Sequence, residues 1–308
     1  MNVTLLTGYR GLIGSALLNH LSADPEFQLI VVGGATDKEL DIPIGVEWLS
    51  SQSISEGILF GRKIDTVINC ANTYENTLFS TNSPIRVNLE FPLFLVESLQ
   101  NSDAHFVNLD TSLNKSPDYY HARLYYSLSK KHLKEYLRIY ADTHLVSNVI
   151  CEHVYGPGSL SRSTLISDLV LSGLSGNLSN LTISPGRQMR DFIYVDDIAS
   201  AILHIIKHRN RANLGNYADF EVGSGTAISF LDLGSIIQKK LNLEFPFPFG
   251  SRPYRELEIM HSVANLTLMK SLGWEPKIDL SQGLDRLINF AKLYDSNQSQ
   301  SSQMQELL

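Results

Sequence analysis

The sequence predicts an α/β fold with a doubly wound parallel sheet, and three observations lead to this prediction. Short apolar strands alternate with helical segments along the chain, as in proteins whose helices cover both faces of a parallel sheet. A glycine-rich turn joins the first strand to the first helix, and a Tyr-x-x-x-Lys pair lies in a later helical segment. The 308 residues are enough for one large domain with a smaller partner.

The composition excludes several classes of function. The chain is 43% hydrophobic and 19% charged, and its net charge of -7 argues against nucleic-acid binding. Since no apolar run approaches the roughly 20 residues of a membrane span and no signal peptide is recognisable, we expect a cytoplasmic protein that does not bind membranes. The two cysteines, Cys70 and Cys151, have no metal-ligand spacing. They predict buried free thiols and no metal site.

The first glycine turn predicts a dinucleotide-binding loop. A strand over residues 2–7 precedes Gly8, Gly11 and Gly14, and a helix is predicted over residues 15–21. In such a loop the first glycine makes the tight turn and the second admits a pyrophosphate, while the third lets the helix pack on the strand. The helix N-terminus then faces the phosphates. An incidental glycine turn is the alternative.

The end of the second predicted strand, residues 28–32, bears on the choice of cofactor. NAD-binding proteins usually carry an acidic residue there for the ribose hydroxyls, but the first acid in this chain is Asp37. The glycine loop instead contains Arg10, whose guanidinium can hold a 2′-phosphate. These two features favour NADP(H), with NAD(H) as the other possibility. An ordinary exposed arginine is the alternative interpretation of Arg10.

A helical segment over residues 123–140 carries the Tyr-x-x-x-Lys pair. Tyr126 and Lys130 are four residues apart and therefore share one helix face. An ammonium beside a phenol lowers the phenol pKa toward working pH, so Tyr126 is a candidate acid/base group. A solvated helix face is the common alternative. The glycine loop in the same chain makes the catalytic interpretation the specific one.

A third candidate follows the strand predicted over residues 104–109. Its C-terminal end delivers Asp110, Thr111 and Ser112 to the edge where open parallel sheets bind ligands. The Thr111 hydroxyl can reach the same carbonyl oxygen as Tyr126. A turn or helix cap is the alternative role of Thr111.

The remaining segments complete the alternation of strands and helices. Strands are predicted over residues 65–71, 144–151 and 181–183, and helices over 84–100, 165–174, 194–207, 230–241, 265–272 and 280–294. Residues 152–158 are predicted to form a turn. The Ser/Gln-rich residues 295–308 are predicted to be a flexible tail.

These residues together resemble the extended short-chain dehydrogenase/reductases, the NAD-dependent epimerase/dehydratases that act on nucleotide sugars. The resemblance extends from Val3 to about Ala291. The matching motifs are Thr7-Gly8-x-x-Gly11-x-x-Gly14, Asp65-x-Val67-Ile68-Asn69-x-Ala71, Asn88, Tyr126-x-x-Ser129-Lys130, Val154-Tyr155-Gly156-Pro157-Gly158, Arg190-Asp191-Phe192-Ile193-Tyr194-Val195-x-Asp197, Arg252-Pro253 and Leu272-Gly273-Trp274-x-Pro276.

The resemblance implies a Rossmann domain for the cofactor and a smaller C-terminal α/β domain for a nucleotide-sugar substrate. We expect the Rossmann domain to comprise residues 1–155 plus about 191–226. The substrate domain would comprise about 156–190 plus 227–294, followed by the tail, 295–308. A homodimer is expected.

The resemblance also implies roles for particular residues. Tyr126 would be the acid/base, Lys130 would bind the nicotinamide ribose, and Thr111 would polarise the substrate oxygen. Arg190 and Arg252 would grip the substrate diphosphate, with surface salt bridging as the alternative. The expected cofactor-binding residues are Gly8, Arg10, Gly11, Leu12, Ile13, Gly14, Asn69, Ala71, Tyr126 and Lys130. Arg10 also matches GDP-fucose synthase and its relatives, where this arginine accompanies NADP.

Departures from the family pattern narrow the expected reaction. Family 4,6-dehydratases follow the catalytic Thr with Asp-Glu, whereas Thr111 is followed by Ser112-Leu113, so dehydration is not expected. GDP-fucose synthase places a reactive cysteine where this chain has Leu113. Glu152-His153 before Val-Tyr-Gly-Pro resembles the 4-ketoreductases that finish deoxysugars such as abequose or paratose.

Three hypotheses follow, from two classes of protein. The leading one is an NADPH-dependent reductase of a nucleotide-linked 4-keto-6-deoxyhexose. The second is a nucleotide-sugar 4-epimerase with tightly bound NAD. The third is a non-catalytic dinucleotide-binding regulator, against which the intact set of Thr111, Tyr126 and Lys130 argues.

Overall fold

The computed structural model describes residues 1–34, 42–75, 80, 82–99, 103–115, 124–161 and 164–305. Some of the sequence-based predictions lie outside these residues. They concern Asp37, the predicted helix ends at Arg123 and Gln100, and the last three residues of the tail.

A seven-stranded sheet forms the larger layer, and its strands are all parallel in the order β3-β2-β1-β4-β5-β6-β9. The strands are β1 (Asn2–Thr7), β2 (Phe27–Gly33), β3 (Glu47–Ser50), β4 (Thr66–Asn69), β5 (His105–Thr111), β6 (Val146–Cys151) and β9 (Tyr217–Val222). Because the strands are parallel, their C-terminal ends all lie at one edge of the sheet. Thr7, Asn69 and Thr111 therefore reach the same edge.

Helices cover both faces of this sheet, as a doubly wound fold requires. The helices are α1 (Leu12–Ala23), α2 (Ser51–Ser55), α3 (Phe91–Ser98, preceded by a π-helical turn, Arg86–Glu90), α4 (Leu124–Tyr140) and α6 (Val195–His208). Helices α1 and α6 share one buried apolar cluster. Helices α2, α3 and α4 share the other. Alternate strand residues face the two clusters, so the strands are buried on both sides.

A smaller sheet and its helices form a second layer. The strands are β7 (His153–Tyr155), β8 (Met189–Tyr194), β10 (Ala227–Ser229) and β11 (His261–Ser262), and each of the other three pairs with β8. The helices are α5 (Leu165–Ser175), α7 (Phe230–Leu241), α8 (Thr267–Ser271) and α9 (Leu280–Gln305). The predicted fold class is confirmed. The exact domain boundaries stay a prediction.

The structure corrects several predicted elements. Residues 153–155 form β7 instead of part of a turn, because they pair in register with Phe192–Tyr194 of β8. The strand predicted over residues 181–183 is reduced to one bridge, between Ile183 and Phe249. The last helix continues to Gln305, past its predicted end at residue 294.

Among the described residues, no helix combines the length and the apolarity needed to cross a bilayer.

Candidate active site

The glycine loop has the backbone geometry of a phosphate cradle. Gly8 lies in the left-handed region (φ 65°), and a Cβ there would approach the Ala71 amide nitrogen to 2.6 Å. Helix α1 begins at Leu12, with Gly11 as its N-cap and no side chain capping it. Its first-turn N–H groups therefore suit an anionic ligand.

Gly14 is required for a different reason from the predicted one. A Cβ at Gly14 would overlap the carbonyl oxygen of Gly8. Glycine at this position thus allows the first turn of α1 to close onto the loop, and the predicted helix-to-strand contact is not what demands it. The loop fits the pyrophosphate of a dinucleotide.

Two predicted cofactor-binding residues, Arg10 and Asn69, differ in solvent exposure and in their contacts. Arg10 is exposed, and its guanidinium carbon lies 5.5 Å from the centroid of the Tyr9 ring. Asn69 is fully buried: its Oδ1 accepts from the Thr7 hydroxyl (3.0 Å), and its Nδ2 donates to Asn108 Oδ1 (3.0 Å). Ala71 donates its N–H to Thr7 Oγ1 (3.0 Å) at the edge of the loop. The Asn69 side chain is thus engaged inside the sheet.

Tyr126 and Thr111 meet, as the sequence predicted. Tyr126 is 6% exposed, and the Thr111 side chain is near enough to its phenol to lower the pKa of that phenol. Its ring lies 4.3 Å from the Tyr74 ring, centroid to centroid. Thr111 Oγ1 also accepts from the Leu113 N–H (3.3 Å) and caps the short 3₁₀ turn Ser112–Asn114. Both interpretations of Thr111, cap and site residue, therefore describe its geometry.

The predicted pKa of Tyr126 is wrong in direction. Burial is the largest cause and raises the pKa of the Tyr126 phenol well above its usual value, and Tyr74 and Asp110 raise it further. Lys130 is itself buried, 1% exposed, and its Nζ donates to the Leu109 carbonyl (2.7 Å). Burial lowers the pKa of Lys130. The phenol is held in its protonated form.

The two predicted diphosphate-binding arginines lie around the smaller sheet. Arg190, on β8, is only 4% exposed. Its guanidinium donates to Glu258 Oε1 (2.9 Å) and to the Met189 carbonyl (2.9 Å). Arg252 is partly exposed and donates from Nε to the Thr182 carbonyl (3.0 Å). Arg190 therefore makes an ion pair, but a buried one and not the surface pair considered as the alternative.

A row of polar side chains, here called the polar row, crosses the main sheet and was not predicted from the sequence. Thr7, Asn69, Asn108, Asn148 and Asp219 stand in register on neighbouring strands. Their side chains form one hydrogen-bonded chain, with Asn108 Nδ2 to Asn148 Oδ1 at 2.8 Å and Asn148 Nδ2 to Asp219 Oδ1 at 2.7 Å. The available signal was an asparagine inside each of three apolar strands, since buried amides need partners.

A second missed cluster lies beside Thr111. Lys115 Nζ contacts Glu152 Oε1 (2.5 Å) and Glu221 Oε2 (2.7 Å), while the Ser262 hydroxyl lies 2.9 Å from both Glu152 oxygens. Burial by itself would raise the pKa of Glu152, but the His153 ring, whose Nδ1 lies 3.8 Å from Glu152 Oε2, and the hydrogen bond from Lys115 outweigh it and lower that pKa to about 2. The cluster ties the turn after Thr111 to β6, β9 and β11. In the described part of the chain, no group of three His, Cys, Asp or Glu residues is suited to a metal ion.

Comparison with known proteins agrees with this geometry. The family model described as "NAD dependent epimerase/dehydratase family" matches residues 4–223. A CDP-abequose synthase of Salmonella muenchen is 28% identical over 289 residues, which cover 92% of this chain and 96% of the relative. A dTDP-4-dehydro-6-deoxyglucose reductase of Escherichia coli is 25% identical over 329 residues, covering 93% and 96%.

Solved structures share the fold. A UDP-glucuronic acid 4-epimerase variant from Bacillus cereus, in complex with UDP-4-deoxy-4-fluoro-glucuronic acid and NAD, superimposes with a TM-score of 0.78 at 19% identity. The superposition covers 95% of this chain and 99% of that one.

The parallel sheet, with helices on both of its faces, defines a Rossmann-like α/β fold. The chain belongs to the NAD-dependent epimerase/dehydratase family. The family recognised from the sequence motifs is thereby confirmed, and the curated relatives at near full length carry the names of enzymes of nucleotide-sugar metabolism.

Proposed function

We propose that this protein is an NADPH-dependent reductase of the 4-keto group of a nucleotide-linked 4-keto-6-deoxyhexose, in activated deoxysugar biosynthesis. One observation carries the proposal: the buried Tyr126 lies beside Thr111 at the sheet edge that also carries the glycine loop. The names of the two curated relatives, a CDP-abequose synthase and a dTDP-4-dehydro-6-deoxyglucose reductase, support the substrate class.

The proposed mechanism assigns each step to a residue of the chain. When bound at the glycine loop, a nicotinamide cofactor would supply the hydride for reduction of the ketone. Tyr126 donates its phenolic proton to the oxygen that becomes the alcohol, and the Thr111 hydroxyl hydrogen-bonds the same oxygen. Lys130, anchored on the Leu109 carbonyl, adds a positive charge that stabilises the developing alkoxide. Gly8, Gly11 and the N-terminus of α1 hold the pyrophosphate.

Reduction and oxidation make different demands on Tyr126. A reductase needs a tyrosine that arrives protonated and gives its proton away, whereas oxidation of an alcohol begins with a tyrosine that accepts one. A phenol with a pKa of about 10 is already protonated near pH 7, and burial raises the pKa of Tyr126 further, so the resting site meets the requirement for reduction. A 4-epimerase, which must first oxidise its substrate, is the second candidate, because solved epimerases share the fold.

For the cofactor, we propose a preference for NADP(H). The described part of the second strand ends in Gly33 and Gly34 without an acidic side chain, and exposed Arg10 lies in the glycine loop. A 2′-phosphate would gain a charge-assisted contact from this guanidinium. NAD(H), which the Bacillus cereus structure holds, is the alternative.

The substrate diphosphate is proposed to bind Arg190 and Arg252. Both guanidiniums lie around the smaller sheet, in the part proposed as the substrate domain, residues 156–190 plus 227–294. Arg190 already holds one anion, the Glu258 carboxylate, so its surroundings accommodate negative charge.

A homodimer is also proposed. Helices α3 and α4 lie on the same face of the sheet and expose large apolar side chains, namely Phe94 (47% exposed), Tyr136 (53%) and Ile139 (69%). Apolar surface of this kind marks association sites. Sedimentation of the wild type and of Ile139→Glu tests this: the wild type should sediment as a dimer and the variant as a monomer.

The test of the reaction separates reductase from epimerase. The purified protein should consume NADPH in proportion to an added 4-keto-6-deoxy sugar nucleotide and form one C4 alcohol, followed by nicotinamide absorbance and chromatography. Interconversion of two sugar nucleotides without net loss of NADPH would establish the epimerase instead.

A further inference from the structure

Asp110 is a buried carboxylate immediately before Thr111, and the proposed mechanism does not use it. Its residue is 4% exposed. Oδ1 accepts from the Thr111 N–H (2.8 Å) and from Asn114 Nδ2 (2.9 Å), and Oδ2 accepts from Asn148 Nδ2 (3.0 Å). In these contacts the carboxylate is always the acceptor. Burial is the largest influence on this carboxyl and raises the pKa of Asp110, whereas the hydrogen bonds from Asn148 and from the Thr111 N–H oppose that rise. The set of donors suits an ionised carboxylate, because a protonated one would also need an acceptor for its own O–H.

The polar row fixes the orientation of the amide that faces Asp110. The Thr7 hydroxyl donates to Asn69, Asn69 to Asn108, and Asn108 to Asn148. Because Asn148 Oδ1 is occupied as an acceptor, its NH₂ group faces the carboxylates of Asp110 and Asp219. All donors of the row point the same way, and such aligned chains polarise one another.

Asp110 also lies next to the anchor of Lys130. Lys130 Nζ donates to the carbonyl of Leu109, the residue before Asp110. Burial lowers the pKa of Lys130, and Asp110 is the first group that opposes this effect, followed by the thiols of Cys70 and Cys151. Burial raises the pKa of both thiols, so they are neutral near pH 7. Of these three groups, only the carboxylate accepts several donated hydrogen bonds that favour its charged form.

Other charged and titratable groups near Asp110 also influence the pKa values of this region. Lys134, also on α4, acts on Asp110 together with Lys130. Asp110 in turn raises the pKa of Tyr126, as does Tyr74 from the segment after β4. The carboxylate therefore acts in the same direction on both working groups: it favours protonated Lys130 and protonated Tyr126.

We propose that Asp110 is a positioning residue of this site, the buried counter-charge to Lys130 that also fixes the Thr111 backbone against Tyr126. The proposal rests on the proposed function only because it takes Lys130 and Thr111 as catalytic residues. Its physical content is independent of the substrate. Removing the negative charge leaves Lys130 as a buried cation without a counter-charge, so the ammonium should lose its proton at lower pH.

The test measures Lys130 directly. The ¹³Cε signals of labelled lysines are titrated by NMR, and Lys130→Met assigns the Lys130 resonance. In Asp110→Asn the Lys130 midpoint should fall by about one pH unit, the lower end of the usual effect of a nearby opposite charge. The matched control is Asp219→Asn. It removes a carboxylate that accepts from the same Asn148 amide but pairs with Lys134 and Arg138, so it should leave the Lys130 midpoint unchanged.

Two outcomes would overturn the proposal. One is a Lys130 midpoint in Asp110→Asn equal to that of the wild type. The other is an equal displacement in Asp219→Asn. Because an asparagine at position 110 can direct its own NH₂ at a neighbouring donor, Asp110→Ser serves if the first variant does not fold, with the same expected fall.

The pH dependence of kcat distinguishes a failure of this proposal from a failure of the proposed function. In the NADPH-consuming assay, the alkaline limb of kcat should move to lower pH in Asp110→Asn and stay in place in Asp219→Asn. If the wild type turns over no 4-keto sugar nucleotide, the proposed function fails, and the NMR midpoint still decides the role of Asp110. If turnover occurs but the Lys130 midpoint is unmoved, the function stands and Asp110 is only a structural residue.

Discussion

The glycine loop and the Tyr126 site lie at one edge of one sheet, yet they are built in different ways. The loop is contiguous in sequence, from Gly8 to Gly14, and presents backbone N–H groups whose geometry depends on missing side chains. The Tyr126 site joins side chains of β5 and α4, and burial sets their protonation. A backbone site is determined by which residues are small, whereas a side-chain site is determined by what surrounds it.

The largest expected effect comes from the side-chain site. Tyr126→Phe keeps the buried ring and removes the proton donor, so kcat should fall by about 10²–10⁴-fold while the protein stays folded. Steady-state kinetics and a thermal melt measure both quantities.

Tyr125→Phe is the matched control for Tyr126. Tyr125 is its chain neighbour, only partly buried, on another face of α4, and its loss should change kcat little. A loss of activity in Tyr125→Phe with an active Tyr126→Phe would show that the helix face was wrongly assigned.

The backbone site is tested by adding one methyl group. Gly8→Ala introduces a Cβ against the Ala71 amide in a left-handed conformation, and cofactor binding and thermal stability should both fall. Gly61→Ala is the control, because Gly61 is also left-handed (φ 74°) but nothing lies within 4 Å of its Cβ position. The control should show only the cost of placing alanine in a left-handed conformation, a decrease of roughly 1–2 kcal/mol in the free energy of unfolding. Equal losses in the two variants would show that the close approach to Ala71 is not what requires glycine.

The substrate arginines extend the comparison to the smaller sheet. Arg252→Ala should raise KM for a sugar nucleotide by roughly 10- to 100-fold, the size of a lost hydrogen bond to a charged group. Arg62→Ala, which breaks a half-exposed pair with Glu47 on β3, should leave KM unchanged.

Arg190→Ala needs a stability measurement beside the kinetics, because it leaves the Glu258 carboxylate without its buried partner. Competition by free UDP, GDP, CDP and dTDP would identify the base. If none of them competes, a nucleotide-sugar substrate is contradicted.

The smallest expected effect concerns Arg10, the charged side chain of the loop. Arg10→Ala should weaken NADPH binding by about tenfold, because only NADPH carries the 2′-phosphate, and should leave NADH binding nearly unchanged. Isothermal titration with both cofactors measures this. Equal losses, or a wild type that prefers NADH, would overturn the NADP(H) preference.

Local sequence pattern was sufficient for much of the fold and for naming the candidate site residues, whose roles stay a prediction. The strand Asn2–Thr7 and the helix Phe230–Leu241 have the predicted bounds. Tyr126 and Lys130 share a helix because four residues make about one turn. Strand β7 was missed because a three-residue strand has too short a pattern to be distinguished from a turn, and its pairing with β8 is a tertiary contact.

By itself the sequence determined the family, the glycine loop and the residues Thr111, Tyr126 and Lys130 as candidates, since each depends on spacing within a short segment. Tertiary structure decided the direction of the Tyr126 pKa, the ion pair of Arg190 with Glu258 and the polar row that ends on Asp219 and also donates to Asp110. The row joins residues 39, 40 and 71 positions apart in the chain. The register of distant strands and the depth of burial arise only when the sheet assembles, and they set the electrostatics of the site.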